Sequence, residues 1–189
     1  MHDLHEGADI PEAVAAGRRA AAAARLVVAG LANTTADAAT LAESAAALER
    51  LADALEPHTP TTRWNHPEHR YEAHPLIGPS NPLAPPMRVE RHGQEAVGTV
   101  TFGHLYEGPK GHVHGGFVAA MFDIICISAA SVAEVAGLTG TLTVRYRART
   151  PLFREIRYEA RVEEVRARTA IVSGRSFLGE GIFVRVPNL

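Results

Sequence analysis

From residue 87 onward the polarity of the chain alternates with a period of two, in blocks interrupted by one long run that is apolar at nearly every position. Met87-Arg88-Val89-Glu90-Arg91 and Ala96 to Phe102 read as strands joined by a tight turn at His92-Gly93. Three or four further strands are expected over Thr139–Arg149, Glu155–Arg166, Ala170–Leu178 and Ile182–Val186. Pro151, Ala167-Arg168 and Gly179 to Gly181 separate them. Between the two sets, Phe117 to Ala136 reads as a helix whose Phe117, Met121, Ile124, Ile125, Ser128 and Val132 leave no broad polar face. Such a helix must be surrounded by protein. An α+β architecture in which a curved antiparallel sheet wraps one long central helix meets that requirement, because the sheet alone would leave the helix in water.

The first third of the chain follows a different period. Asp9, Pro11 and Glu12 open a helix, with Asp9 and Glu12 spaced as a capping box, and Gly30 is expected to stop it after Val28 or Ala29. Thr34 or Thr35, followed by Asp37, starts a second helix in which Leu41, Ala45, Leu48, Leu51 and Leu55 recur at three and four residues. Pro57 and Pro60 close it. The two make an N-terminal helical hairpin with a narrow apolar stripe, suited to an appendage or a partner-binding element. Eight of the twelve prolines then fall between Pro57 and Pro86, which excludes long helices and central strands. The expected organisation is therefore a hairpin extension over 1–58, a Pro-rich belt over 59–86 and the main domain over 87–189.

Composition narrows the function classes. Lys and Arg total 19 against 21 acidic residues, a formal net charge of -2, with no nucleic-acid footprint. The single cysteine, Cys126, excludes an internal disulfide and a multi-thiolate metal site, and makes the cytoplasm the natural compartment. Histidines 58, 66, 69 and 74 follow no ligand spacing and read as surface residues. Arg25 splits the apolar block that would otherwise resemble a secretion signal. The run from Val113 to Ala133 is nearly long enough to span a bilayer, but Asp123 at its middle makes a buried helix the better reading.

That aspartate is the pivot of the chemistry. A lone carboxylate in an apolar helix is neutralised, hydrogen-bonded by a neighbouring element, or used. Ahead of it lies Glu107-Gly108-Pro109-Lys110-Gly111-His112-Val113-His114-Gly115-Gly116. Gly115 and Gly116 open the helix, where backbone N–H groups without intrahelical partners favour a developing negative oxygen. Asp123, two turns further in, can take a proton from water or attack a carbonyl itself.

The ordered set of Tyr106 to Gly111, then His114-Gly115-Gly116, then Asp123 nine residues after His114, then Thr139-Gly140-Thr141-Leu142-Thr143-Val144-Arg145-Tyr146 resembles the hotdog-fold thioesterases. The branch is that of phenylacetate-degradation-type (PaaI-like) enzymes and their THEM relatives, and the likeness covers roughly Gly78 to Leu189. One departure stands out: some members carry asparagine six residues before the histidine, where this chain has Gly108. The resemblance implies hydrolysis of an acyl thioester, usually an acyl-CoA, without metal or redox cofactor. It also implies at least a homodimer, with the glycine donor from one protomer and the acid from the other. Asp123 would be base or nucleophile, Gly115 and Gly116 oxyanion donors, and Thr139 the holder of the attacking water.

Each assignment has a structural rival. Gly115-Gly116 would serve a close-packed helix entry, Asp123 could be a structural acid capped by backbone, and Thr139 is at home in any strand. His114 reads as a residue fixing the loop by a side-chain hydrogen bond rather than as a base. Cys126 reads as a small buried filler. Arg145, Arg147 and Arg149 share one strand face and, with Lys110 and Arg154, could grip the phosphates of CoA or form a solvated face. The rival of another class is a binding or sensing module for acyl-CoA that keeps the fold without turnover; an enoyl-CoA hydratase would need its His and Asp placed differently.

Overall fold

An apolar helix and an alternating sheet remove each other from water in the larger of two units into which the chain divides, Pro75–Gly78 with Leu83–Leu189. The other unit is Met1–His74 with Pro79–Pro82. The computed structural model describes residues 11–59, 69–93, 95–132, 138–166 and 169–177.

In the larger unit, β1 (Arg88–His92), β2 (Glu95–Thr101), β3 (Glu155–Val165) and β4 (Ala170–Phe177) form a four-stranded antiparallel sheet in chain order. The turn expected at His92-Gly93 is present: His92 pairs with Glu95, and Gly93 takes φ +59°, open to glycine at little cost. Helix α4 (Gly115–Val132) crosses one face of the sheet and packs on all four strands. Period-two patterning dictates which side chains meet it. On β3, Ile156, Tyr158 and Ala160 are buried, whereas Arg157, Glu159 and Arg161 turn the other way. The Tyr158 ring meets Phe122 of α4 edge-on at 5.0 Å between centroids. Glycines let helix and sheet approach: a Cβ at Gly174 would come 3.3 Å from Phe122 and 3.4 Å from Cys126, and one at Gly98 would overlap Met87.

The expected strand Thr139–Arg149 has no ladder among the described residues, although its period survives. Leu142 and Val144 pack against the core while Thr143 and Arg145 are exposed. Alternation needs only one packed face, whereas a ladder needs a second strand alongside. The last expected strand, Ile182–Val186, and residues 133–136 of the expected central helix lie outside the described residues.

In the smaller unit, α1 (Glu12–Asn33) runs through Gly30 instead of stopping there. A glycine inside a helix costs about 1 kcal/mol relative to alanine, which weakens a helix without ending it. The chain leaves the helix only at Thr34, where ψ becomes 147°. Pro11 occupies the N-cap position, and Asp9 of the expected capping box lies outside the described residues. Helix α2 (Ala38–Leu55) begins at Asp37, whose carboxylate accepts the Thr40 N–H at 2.8 Å. Within the belt a short helix, α3 (His69–Glu72), supplies a buried acid that no sequence pattern marks. Glu72 takes both Arg18 donors, at 3.1 and 2.7 Å, and the Ser80 hydroxyl at 2.8 Å, so α1 and the belt are joined by a satisfied ion pair.

Candidate active site

Helix α4 begins where a short loop is forced to turn. Gly111, at φ +74°, closes the turn Pro109-Lys110-Gly111, with the His112 N–H donating to the Pro109 carbonyl at 2.8 Å. Glu107 holds this turn from beneath: its carboxylate accepts the Gly111 N–H at 2.6 Å and lies 3.3 Å from the His104 ring nitrogen. The Gly111 N–H, and then His104, hold its carboxyl below the usual glutamate range. The loop is tied to the segment after the arginines, since Val113 N–H donates to the Thr150 carbonyl at 2.8 Å and Leu152 N–H to the Gly111 carbonyl at 3.1 Å. Gly108 is where some members of the resembled family carry asparagine. A Cβ there would come 2.8 Å from His114 Cα, so this loop conformation accepts no side chain at that position.

His114 caps the helix. Its carbonyl accepts from Phe117 N–H at 3.0 Å, and its Nδ1 accepts from Gly116 N–H at 3.0 Å. Only a ring with Nδ1 unprotonated can accept that bond, which places the imidazole hydrogen on Nε2. The Gly116 N–H is thus occupied, and a Cβ on Gly116 would lie 3.1 Å from the same ring nitrogen. The Gly115 N–H has no acceptor among the described residues. Of the two glycines singled out in the sequence, Gly115 is therefore the one with a donor to offer.

Tyr146 is the residue sequence reasoning passed over. Its hydroxyl donates to the Gly115 carbonyl at 2.9 Å, and a Cβ on Gly115 would meet its ring at 3.4 Å. It braces the first turn of α4 from 31 residues away. Its places at the end of the Thr139–Tyr146 motif and between two arginines on an alternating segment were the signals, and neither says anything about glycine.

Asp123 and Thr139 are brought together. The Thr139 hydroxyl donates to Asp123 Oδ1 at 2.6 Å, in a partly buried position. The pair leaves the second carboxylate oxygen and the hydroxyl lone pairs for a water or a substrate atom. Cys126, one turn on, is fully buried, and burial together with the nearby Asp123 charge pushes its thiol up to about 12. A thiol of that kind is a poor nucleophile at neutral pH. Lys110 sits exposed at the loop tip, and Arg145, Arg147 and Arg149 are exposed on the segment that leads to it. Among the described residues no group of three His, Cys, Asp or Glu side chains could hold a metal ion, and no helix is long and apolar enough to cross a membrane.

Gly115 and Asp123 do not meet within one chain. Eight residues of α-helix separate them, about 12 Å at 1.5 Å per residue, and one carbonyl cannot lie within hydrogen-bond reach of both.

Residues 110–182 match the family model of the thioesterase superfamily. A solved thioesterase superfamily protein is 34% identical, with 91% of this chain and 93% of that one covered and a TM-score of 0.81. Zebra fish thioesterase superfamily member 2 is 15% identical over 63% of this chain and 88% of its own, with a TM-score of 0.54. A hypothetical thioesterase from Streptococcus pneumoniae, solved with coenzyme A, is 15% identical over 54% and 81%, with a TM-score of 0.51. At such identities the last two speak for the fold alone. No curated protein matches the chain.

Proposed function

The chain belongs to the thioesterase superfamily and has its hotdog fold, and from that premise we propose that it hydrolyses an acyl thioester of coenzyme A to the free acid and the thiol. The observation that carries the proposal is the short hydrogen bond from Thr139 to Asp123 on the helix whose first residue, Gly115, offers an N–H. In this reading the thioester carbonyl rests on the Gly115 N–H of one protomer while Asp123 of a second faces it. The separation of the two groups along one helix supports a homodimer as the working unit. Water held between the Thr139 hydroxyl and the free Asp123 oxygen gives a proton to the carboxylate as its oxygen bonds to the carbonyl carbon. Negative charge then gathers on the carbonyl oxygen, where the helix dipole and the Gly115 N–H oppose it. Collapse of that intermediate breaks the C–S bond and expels the thiolate, which takes up a proton; a thiol, with an ordinary pKa of about 8.5, leaves readily.

Direct attack by Asp123 would instead place the carboxylate oxygen in an acyl-enzyme anhydride, and single-turnover hydrolysis in ¹⁸O-water separates the routes by whether label enters the aspartate. Neither route needs a metal or a redox cofactor. Lys110, Arg147 and Arg149 are the cations available to the CoA phosphates. The Streptococcus pneumoniae protein solved with coenzyme A supports that choice of carrier. With one cysteine in the sequence, buried and unpaired, the protein is proposed to work in the cytoplasm. The test is thiol release from a panel of acyl-CoAs, read with a thiol-reactive dye. Wild type should turn over and Asp123→Asn should not; equal rates would end the proposal, as would saturable binding without thiol release at any chain length.

A further inference from the structure

Helix α2 has no buried residue, yet three of its four leucines follow a strict seven-residue repeat. Leu41, Leu48 and Leu55 recur every seventh position, with Ser44 and Leu51 between them at the alternate three- and four-residue steps. This is the narrow seam of a coiled coil rather than the broad face of a helix lying on a globular core. Ala45, Ala47, Ala52 and Ala54 flank the seam on both sides, so a second helix can come close. Glu43, Glu49, Arg50 and Asp53 all fall on the remaining positions. The one polar residue in the seam is already satisfied, because the Ser44 hydroxyl donates to the Thr40 carbonyl at 2.8 Å. Yet the seam is open: Leu41, Leu48, Leu51 and Leu55 are 39%, 37%, 53% and 54% exposed. Val27 and Leu31 of α1 continue the surface as the far wall of a groove of about 350 Å³.

We propose that this face pairs with α2 of a second copy of the chain, forming an interface separate from the proposed catalytic dimer. The repeat selects its occupant. A seam of period 3.5 fits a helix carrying the same repeat, and α2 is itself such a helix. The exposed leucines, valine and flanking alanines amount to about 600 Å² per copy, so a pair buries about 1,200 Å², the lower bound of a stable specific interface. A lipid surface is the poorer match, because interfacial helices carry a cationic polar face and this one presents Glu43, Glu49 and Asp53 against a single Arg50.

Sedimentation equilibrium of the full chain at micromolar concentration tests the pairing, independently of any thioesterase activity. Leu48→Glu with Leu51→Glu should halve the wild-type mass, from four copies to two if the catalytic units also pair and from two to one if they do not. Because no α2 residue is buried, far-UV circular dichroism of the variant should still show the folded chain. An unchanged mass overturns the proposal, whatever other partner the face accepts. Leu48 faces its own counterpart in a parallel pair and Leu51 of the second copy in an antiparallel one, so Leu48→Cys, alone or mixed in equal amounts with Leu51→Cys, should form an intermolecular disulfide under mild oxidation. Cys126 is buried and does not compete. Failure of both samples to cross-link overturns pairing of like with like.

Discussion

Helices α2 and α4 are both 18 residues long, and almost nothing else about them is alike. The first is held by its ends and its period: Asp37 caps it, its apolar positions form one stripe, and none of its residues is buried. The second lacks a Ser, Thr or Asp cap, starts with two glycines, and is held by what surrounds it, with Met121, Phe122, Ile125, Cys126 and Ala129 all fully buried. A polar residue on α2 costs nothing and so carries no message. On α4 every polar group must be accounted for, and the account leads to Asp123, Thr139 and the Gly115 N–H.

The contrast can be broken most forcefully in the core. Phe122→Ala should lower the stability of the larger unit by about 3–5 kcal/mol in chemical denaturation, the usual cost of emptying a packed aromatic site. Glu49→Ala on α2, off the leucine seam, should stay within about 0.5 kcal/mol, as exposed substitutions do. A comparable loss at both positions would mean that α2 is as deeply packed as α4. Next comes the acid: Asp123→Asn should reduce thiol release by about 10²-fold or more with little change in thermal midpoint, while Asp53→Asn on α2 leaves the rate alone. A smaller effect is expected at the α2 cap, where Asp37→Ala should speed amide exchange at Thr40 and in the first turn without touching α4.

The smallest effect concerns the loop that presents Gly115. Glu107 has its folded pKa below its ordinary value, so its contribution is fully present above the ordinary glutamate range and is lost as pH falls through the lowered value. Acidification through that window should loosen the turn at Gly111, seen as faster exchange of the Gly111 amide. Glu107→Gln should show the looser turn at neutral pH and no further acid dependence there. If exchange at Gly111 is indifferent to both changes, the carboxylate does not hold the loop.

Legibility differed between the regions for physical reasons. Alternation along Arg88–Thr101 and Glu155–Phe177 announced strands because one face of each is dry. The stop at Gly30 was misplaced because glycine weakens a helix by an amount that neighbouring alanines outweigh. The pairing of Arg18 with Glu72 could not be read, since 54 residues separate them and each alone looks like an ordinary surface charge. At the site, the sequence pointed to His114, Gly115, Gly116, Asp123 and Thr139 as a set, but not to which glycine keeps its N–H open.

By itself the sequence determined what the chain must bury and where it must turn: a helix apolar all round, strands of period two, a glycine loop and a single acid among hydrophobic residues. Periodicity and composition are local, so one strand of letters is enough to state them. The tertiary structure alone decided that His114 takes the Gly116 N–H, that Thr139 closes on Asp123, that Tyr146 braces Gly115, and that no side chain fits at Gly108. The bonds of Thr139 and Tyr146 depend on distances of a few ångströms between segments set side by side only when the chain folds, and the contacts of Gly108 and Gly116 on the path of the loop that carries His114.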